Sequence, residues 1–311
     1  MAIYNLGSIN IDNFYQVPHI PAPGETIAAG HMSMGLGGKG ANMSVAAARG
    51  AARVVHIGAI GAEGVWARDR LTEYGVDTRF IVDGTRTGHA IICVAEDGEN
   101  AITLFTGANH EITSDLIGSS LSEAQTGDIF VTQNETNAQE EACEMAKRLG
   151  LRVAYAAAPF GAGAVQAVLP YIDMLILNQI EADQLTNALG LRPDQLDVND
   201  VIVTLGADGC RWFDNQNGYV NDYPAITADL VDTTGAGDTF TGYILAGLDR
   251  GMPMEQAIRL ASQAASIMVS RQGTADVIPD LKDIQDRFGV SNLEIVIADL
   301  TNGRHLGRCS S

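Results

Sequence analysis

Short apolar runs that alternate with helix-like stretches constrain the fold of this chain more than any other sequence feature. The runs are each four to eight residues long, and they are IYNLGSI, VVHIGAIG, DIFVTQ, RVAYAA, DMLILN and VIVTL. Near-continuous apolar character is typical of strands that are buried on both faces of a sheet. Helix-like stretches lie between the runs, at residues 40–50, 64–75, 139–149 and 179–189. The alternation predicts an α/β fold, with a mainly parallel sheet and helices on both of its faces.

Two stretches break this alternation. Residues 13–36 contain three prolines and short extended pieces, and residues 86–107 are typical of a hairpin around Asp97 and Gly98. Both arms of the hairpin alternate loosely between apolar and polar residues, as a sheet with one solvated face does. We predict that the two stretches form one small β lid outside the main sheet. A pair of ordinary surface hairpins is an equal alternative on pattern alone.

The chain has no low-complexity linker and no internal repeat. Its length permits either one large α/β domain or two modest ones. We predict one domain over residues 1–290, which includes the lid. Residues 291–311 contain one strand-like run and a polar end. They are interpreted as a C-terminal extension whose role is left open.

Acidic residues outnumber basic ones by 38 to 19 in this chain of 311 residues. The balance argues against nucleic acid or an anionic membrane surface as a partner, although backbone N–H groups can still bind a phosphate. The N-terminal residues lack the pattern of a signal peptide, and no apolar run approaches the ~18 residues of a membrane span. Four widely spaced cysteines without a C-x-x-C pair are typical of reduced thiols. We therefore expect a cytoplasmic protein.

The stretch VDTTGAGDTF, residues 231–240, is the strongest candidate for chemistry. The residues that share one helical face after the glycines are Phe240, Tyr243, Ile244, Gly247 and Leu248. Gly235 and Gly237 therefore stand at a helix N-terminus, where unpaired N–H groups and the helix dipole favour an anion. Asp238 at the same place is either a base that accepts a proton from a substrate hydroxyl or an ordinary helix-start acid. The local pattern leaves both interpretations open.

A second glycine cluster, GLGGKGAN at residues 35–42, also opens a helix-like stretch. Its glycines at 35, 37 and 40 match the dinucleotide-binding pattern G-x-G-x-x-G, but that pattern should follow the first strand directly. Here about 25 residues of lid-like chain intervene, so the match is weak. Lys39 is one of only three lysines, and its place between glycines indicates contact with a ligand.

Two further polar clusters follow predicted strands. Asn10 and Asp12, in GSINID, point to the same side of an extended chain, where they can bind two hydroxyl groups. A turn built on these two residues is the alternative. Asn178 and Glu181 are three residues apart at a strand-to-helix junction. Their oxygens suit Mg²⁺, usually through water, but the same spacing equally suits a helix capping box.

The motifs GSINID, GGKGAN, NQIEA, TLGADG and DTTGAGD follow one another in this order over roughly residues 3–288. The series resembles the ribokinase-like family of carbohydrate kinases, of the phosphofructokinase-B type, and GGKGAN is similar to its ribokinase branch. The resemblance implies a three-layer α/β fold with a β lid. It also implies an ATP-dependent kinase that uses Mg²⁺ to phosphorylate a hydroxymethyl group of a small sugar, either a ribose-like pentose or a hexose.

The resemblance assigns roles to individual residues of this sequence. It implies that Asp238 is the general base and that the backbone of Gly235, Ala236 and Gly237 forms the anion hole. The residues it places at the sugar are Asn10, Asp12, Gly37, Gly38, Lys39, Asn42 and Glu135. Those it places at the nucleotide are Asn178, Thr204, Gly206 and Gly209, with Glu181 at Mg²⁺ through water. The residues it places around a monovalent cation such as K⁺ are Asp232 and Thr234, with the backbone near Met268, Arg271 and Gly273.

This sequence departs from the family pattern at some positions. Val277 stands where a ribokinase offers an oxygen to the monovalent cation, so we expect fewer ligands there. Residues 156–159 read AAAP, where ribokinases commonly have Asn-Pro-Ala-Pro, so the sugar is left open. A nucleoside kinase of the same fold and a non-catalytic sugar sensor are the alternatives, although few aromatic residues in the lid favour a free sugar. We expect a homodimer through the lid, because a small sheet with one apolar face must bury that face.

Overall fold

The computed structural model describes residues 1–289, which contain thirteen strands and nine helices. The strands are β1 (Ile3–Leu6), β2 (Asn10–Val17), β3 (His31–Gly37), β4 (Val54–Ile60), β5 (Asp77–Asp83), β6 (Gly88–Ala95), β7 (Asn100–Phe105), β8 (Ile129–Gln133), β9 (Arg152–Ala156), β10 (Met174–Asn178), β11 (Asp200–Thr204), β12 (Cys210–Asp214) and β13 (Tyr219–Tyr223). The helices are α1 (Lys39–Arg49), α2 (Val65–Glu73), α3 (Ser114–Leu121), α4 (Gln139–Arg148), α5 (Ala162–Val168), α6 (Gln179–Leu189), α7 (Ala236–Asp249), α8 (Met254–Met268) and α9 (Leu281–Phe288). None of the helices in this part of the chain is long and apolar enough to cross a membrane. The predicted extension, residues 291–311, lies outside the described residues.

The main sheet has nine strands in the order β13-β12-β11-β10-β9-β8-β1-β4-β5. The six predicted apolar runs form β1, β4, β8, β9, β10 and β11, and the strands from β11 to β5 in this order all pair in parallel. β12 and β13 extend the sheet as antiparallel strands. Every residue of β4 and β8 is buried, as expected for strands covered on both faces. The predicted mainly parallel α/β fold is confirmed.

Two hydrophobic clusters cover the two faces of the main sheet. Side chains along the central strands alternate between them: Ile3 and Ile129 belong to one cluster, and Tyr4 and Phe130 to the other. The first cluster contains side chains of α1, α2, α7 and α8, and the second contains side chains of α3, α4, α5 and α6. The predicted helices on both faces are therefore confirmed. α7 packs against both α1 and α8 and is buried along most of its length, which fixes the position of its N-terminus.

The two stretches outside the alternation form one separate sheet of four strands, in the order β3-β2-β6-β7. β2 and β3 pair antiparallel, and β6 and β7 form a hairpin around Asp97 and Gly98. Parallel pairing of β2 with β6 joins the two pieces into one sheet. The predicted lid is confirmed, and the alternative of two separate hairpins is wrong. β2 begins at Asn10, so the first strand of the lid starts before the predicted boundary at residue 13.

Large apolar side chains are exposed on the lid, namely Met32, Met34, Ile91, Ile102, Leu104 and Phe105. The strand register puts Met34 and Ile91 on one face of the lid, because both are paired with the same residue of β2. Ile102 and Leu104 lie on the opposite face. The expectation of a single apolar face is therefore wrong, since exposed apolar side chains occur on both faces.

α1 begins directly over the end of β1, and the two backbones touch. A Cβ atom on Gly40 would lie 2.3 Å from the Cα of Gly7 and 2.4 Å from the backbone nitrogen of Ser8. We expect Gly40→Ala to push α1 away from the sheet and to lower the free energy of unfolding by about 1–3 kcal/mol, the usual cost of overpacking. Urea unfolding measures this change.

The matched control is Gly118→Ala in α3, where an added Cβ meets nothing within 4 Å. Because alanine favours a helix over glycine by up to about 1 kcal/mol, this variant should be no less stable than the wild type. Equal stability of the two variants would contradict the close contact between α1 and β1.

Candidate active site

Four carboxylates lie near enough to one ammonium group to act on its charge, where the carboxyl ends of the main-sheet strands meet the lid. The ammonium belongs to Lys39, the first residue of α1, and the carboxylates belong to Asp12, Glu135, Glu181 and Asp238. All four acids raise the pKa of Lys39, Asp238 most strongly, while burial opposes the rise. Segments that are far apart in the sequence therefore converge on one charged pocket.

Asp238 lies in the first turn of α7, and its side chain is buried. Its Oδ2 accepts a hydrogen bond of 2.9 Å from Nδ2 of Asn42 in α1. The bond can form because α1 and α7 pack side by side. The carboxylate is thus fixed at a helix N-terminus, where the dipole favours negative charge, and it faces the ammonium of Lys39.

The bend before α7 leaves backbone N–H groups available for an anion. Gly235 has a φ of 74°, a left-handed conformation that favours glycine. Among residues 1–289, the N–H groups of Gly235, Gly237 and Asp238 have no acceptor, whereas that of Ala236 donates to the carbonyl of Thr233 at 3.2 Å. The available set therefore includes Asp238, which the sequence had not indicated, and leaves out the N–H of Ala236.

Asp12 and Glu135 lie close enough for each other's charge to matter. Burial raises the pKa of Asp12 to about 7; Glu135 and Asp238 add to the rise, and Lys39 opposes it. Oε2 of Glu135 accepts hydrogen bonds from the hydroxyl of Ser8 and, at 3.1 Å, from the backbone N–H of Lys39. Burial raises the pKa of Glu135 as well. One oxygen of Glu135 therefore holds the start of α1 in place.

Asn178 and Glu181 form the capping box that was one of the two interpretations of their spacing. Oδ1 of Asn178 accepts from the backbone N–H of Glu181 at 2.9 Å, and Oε2 of Glu181 accepts from that of Asn178 at 2.8 Å. Burial raises the pKa of Glu181, while Lys39 lowers it and Asp238 raises it, so the carboxylate also faces the pocket. Within residues 1–289, no three His, Cys, Asp or Glu side chains are grouped so as to hold a metal ion by themselves.

The predicted nucleotide residues lie together at the carboxyl ends of two neighbouring strands. Asn178 ends β10 and pairs with Thr204, which ends β11. The hydroxyl of Thr204 donates to the carbonyl of Leu177 at 3.4 Å. Gly206 and Gly209 form the tight turn that follows, closed by a 2.7 Å bond from the Leu205 N–H to the Gly209 carbonyl. The turn and the start of α6 thus line one edge of the pocket.

The predicted monovalent-cation residues form two loops that are joined by Asp232. Its Oδ1 accepts from the backbone N–H of Thr234 at 2.9 Å, and its Oδ2 accepts from that of Gly273 at 3.3 Å. The carbonyl of Met268 accepts from the backbone N–H of Arg271 at 3.0 Å. The Arg271 guanidinium donates to the carbonyl of Val277 at 3.0 Å. The carbonyl of Met268, a candidate for cation binding, therefore already accepts one hydrogen bond.

Comparison with known proteins identifies the family of this chain. The model of the "pfkB family carbohydrate kinase" matches residues 3–281. The chain belongs to this family. The kinase is 34% identical to the ribokinase of Haemophilus influenzae over 291 residues, which cover 88% of this chain and 94% of the relative. The ribokinase branch and a phosphotransferase activity on carbohydrate follow from these matches.

Solved ribokinase structures agree with the fold of the kinase. The ribokinase of Cryptococcus neoformans in complex with ADP superposes with a TM-score of 0.81 at 31% identity, covering 92% of this chain and 99% of that one. The Arabidopsis thaliana ribokinase complexed with ribose and ATP gives a TM-score of 0.81 at 28% identity, with 92% and 98% covered.

The glycine cluster of the kinase is not a dinucleotide-binding loop. α1 follows β3, which is a strand of the lid, and not a strand of the main parallel sheet. A dinucleotide fingerprint needs a tight turn from the first parallel strand into its helix. The weak match at Gly35, Gly37 and Gly40 is therefore excluded by the topology.

Two polar contacts at the base of the lid involve residues that sequence reasoning missed. Asn109, just after the lid, donates to Oδ1 of Asn10 at 2.8 Å. Thr274 donates through its hydroxyl to the carbonyl of Leu36 in β3 at 2.7 Å. Both residues are buried. Their only sequence signal is a polar residue within two positions of a glycine, which is too common to single out a site.

The raised pKa of Asp12 predicts a pH dependence of stability. Because the folded state holds the proton more tightly than the unfolded chain, the folded state loses stability as pH rises from about 4 to about 7. Asp12→Asn removes this loss, so the variant should gain on the wild type by about 1–3 kcal/mol between pH 5 and pH 8, given about 1.4 kcal/mol for each unit of pKa shift. Urea unfolding at the two pH values measures the gain.

The control for this experiment is Asp286→Asn, at an exposed acid of α9. Its stability relative to the wild type should be the same at both pH values. If the difference in unfolding free energy between Asp12→Asn and the wild type stays constant with pH, the pKa of the Asp12 carboxyl is not raised.

Proposed function

We propose that this kinase transfers the γ-phosphoryl group of ATP to a hydroxymethyl oxygen of a ribose-like sugar. The observation that carries the proposal is the place of Asp238: its buried carboxylate follows the free N–H groups of Gly235 and Gly237 within one helical turn. A base and an anion site are therefore adjacent. The Arabidopsis relative is described with ribose and ATP, and the Cryptococcus relative with ADP, which supports the same pair of substrates.

The transfer needs positioning and charge stabilisation more than covalent chemistry. Asp238 accepts the proton of the attacking hydroxyl, and Asn42 holds its carboxylate in the orientation for this step. The N–H groups at the start of α7 stabilise the charge that grows on the moving phosphoryl group. The lid excludes water, which would otherwise compete with the sugar as acceptor.

The sugar binds between β2 of the lid and the first turn of α1. Asn10 and Asp12 contribute polar groups from the lid side, and Lys39 and Asn42 contribute them from α1. Gly37 belongs here because a Cβ atom on it would collide with the Asp12 carboxylate. Glu135 acts chiefly by holding Ser8 and the start of α1 around the sugar.

ATP binds along the edge formed by Asn178, Thr204 and the turn at residues 206–209. Glu181 fits a role at Mg²⁺ through water, since its carboxylate faces the pocket while one oxygen remains in the capping box. Mg²⁺ would neutralise charge on the phosphates when bound. Lys39 and the N–H groups of α7 provide this chain's own share of that neutralisation.

Replacement of Asp238 tests the proposal. We expect Asp238→Asn to fold, to bind ATP and to lose at least about a hundredfold in turnover, the usual effect of losing a general base. The assay measures ADP release over a panel of pentoses, hexoses and nucleosides. Wild-type turnover should be highest with a pentose; preference for a nucleoside would contradict the proposed substrate.

The matched control is Asp115→Asn, an exposed acid in the first turn of α3. Both variants lose a favourable charge at a helix N-terminus, which is worth about 0.3–1 kcal/mol of stability. Only Asp238→Asn should lose turnover. Near-normal turnover of this variant would remove Asp238 from the role of base.

We further propose a weak monovalent-cation effect at Asp232 and Thr234. Each carboxylate oxygen of Asp232 accepts one backbone N–H and keeps a further lone pair for a cation, but Val277 has no side-chain oxygen to add. We expect activation by K⁺ that needs higher concentrations than a full set of ligands would. Turnover is measured against KCl, with choline chloride holding ionic strength constant.

Val277→Ser sharpens this test because it adds the missing oxygen. The variant should be half-activated at a lower K⁺ concentration, whereas the control Val220→Ser, at an exposed position of β13, should behave as the wild type. Equal wild-type rates in the two salts would show that the loops around Asp232 are structural only.

We also propose that the kinase is a homodimer through the lid. Support comes from the exposed apolar side chains of the lid, because a second lid would bury those on one of its faces. Light scattering at micromolar concentration should give twice the monomer mass, and Met34→Asp or Leu104→Asp should lower it, depending on which lid face is buried. Leu230→Asp, at an exposed leucine outside the lid, is the control. A monomeric wild type would contradict the proposal.

A further inference from the structure

We propose that Asn109 is a positioning residue that fixes the amide of Asn10, so that Asn10 presents its Nδ2 to the substrate. This inference rests on the proposed function, since the substrate at Asn10 is the sugar. The inference concerns whether the sugar meets the donor Nδ2 or the acceptor Oδ1 of Asn10. Asn109 lies just after the lid, and Asn10 begins the first strand of the lid.

The orientation of the Asn109 amide follows from the chemistry of its neighbours. The backbone N–H of Ile9 can only donate, so the Asn109 atom 2.9 Å from it is Oδ1. Nδ2 of Asn109 therefore points the other way. It lies 3.3 Å from the carbonyl oxygen of Ile9 and 2.8 Å from the side chain of Asn10. Because this nitrogen donates, the Asn10 atom beside it must be the acceptor, Oδ1.

Asn10 is left with its Nδ2 as the side-chain atom that can still bind a ligand. In the described part of the chain, this nitrogen has no acceptor. Asn10 and Asn109 are only 5% and 2% exposed, so solvent has little access to either amide. A Cβ atom on Gly88 would lie 2.3 Å from Nδ2 of Asn109 and 2.4 Å from Oδ1 of Asn10. The backbone of Gly88 thus closes over the pair, and a larger residue there would displace the two amides.

The amide of Asn42 in α1 is fixed with the opposite polarity. Its Nδ2 donates to the carboxylate of Asp238, which accepts only, so its Oδ1 remains. That oxygen is buried and has no partner within residues 1–289. A sugar at this place therefore accepts a hydrogen bond from Asn10.

The inference predicts how the kinase treats fluorinated sugars. A hydroxyl both donates and accepts, whereas a fluorine atom accepts only. We expect one sugar position at which removal of the hydroxyl lowers kcat/KM and fluorine restores part of it, because Asn10 donates there. Mono-deoxy and mono-deoxyfluoro forms of the best pentose substrate locate this position.

Asn109→Asp should reverse the polarity of Asn10. The aspartate still accepts from the N–H of Ile9 but cannot donate, so Asn10 turns its Nδ2 toward it and its Oδ1 toward the sugar. We expect the advantage of the fluorinated sugar over the deoxy sugar to disappear. This means a fall of about threefold to tenfold in kcat/KM for the fluorinated sugar, which is the effect of losing one hydrogen bond. KM for the parent sugar should change less, and KM for ATP should not change.

Asn109→Ala is the second variant, because it removes the donor without adding a buried charge. It frees the Asn10 amide to rotate, so the advantage of the fluorinated sugar over the deoxy sugar should also become smaller than in the wild type. Asn137→Asp is the matched control: Asn137 makes the same two bonds to one backbone unit, that of Ile112, at 2.9 and 2.7 Å, and its side chain makes no hydrogen bond to a site residue. It should keep the wild-type preference for fluorine even if its stability falls.

The outcomes separate the role of Asn109 from the proposed function. Wild-type activity on a pentose, with a fluorine advantage that both Asn109 variants lose and Asn137→Asp keeps, supports the inference. The same advantage in the Asn109 variants, or none in the wild type at any position, overturns it while the sugar kinase stands. A wild type that phosphorylates no sugar overturns the proposed function, and with it the assignment of Asn10 as donor.

Discussion

The rest of the pocket depends on the electrostatic attraction between the ammonium of Lys39 and four nearby carboxylates. Lys39 is the single lysine among four acids, and those acids come from the lid, from the end of β8, from α6 and from α7. Without a positive charge between them, their mutual repulsion in a partly buried place would destabilise this arrangement. The backbone of the same residue also donates to Glu135. Lys39 therefore holds the elements together through both its charge and its place at the start of α1.

One positive charge does not balance four negative ones, and the structure answers this imbalance in two ways. Burial raises the pKa of Asp12 to about 7, so its carboxyl group is partly protonated near neutral pH. Glu135 and Glu181 each bind backbone N–H groups at a helix start, where negative charge is favoured. Asp238 shares the pocket with the free N–H groups at the start of α7 and with the amide of Asn42. The acid that performs the proposed chemistry thus stays beside donors, while its neighbours are partly neutralised.

The sequence predicted the fold and the position of the lid well, because both depend on local patterns. Strands buried on both faces have continuous apolar runs, and the lid differs from them in composition and alternation. The sequence could not predict contacts that depend on how distant segments meet. Asn109 and Asn10 are in contact only because the lid strands bring its two ends together. Likewise, the carbonyl of Val277 accepts from Arg271 because of a loop conformation that no motif encodes.

Spacing alone also cannot separate two roles that one residue plays together. Asn178 and Glu181 were expected either to cap α6 or to face a ligand, and Glu181 caps the helix while it faces Lys39 and Asp238. The loop at residues 273 and 274 likewise contacts two separate parts of the site. Gly273 donates to Asp232, whose other oxygen holds Thr234, and the adjacent Thr274 donates to Leu36 in the lid. The lid strand that ends beside Asp12 and the bend that ends at Asp238 are therefore attached to two adjacent residues, Thr274 and Gly273. A displacement of either one alters the contacts that set the position of the other, so sugar binding under the lid and the shape of the anion site cannot be specified independently.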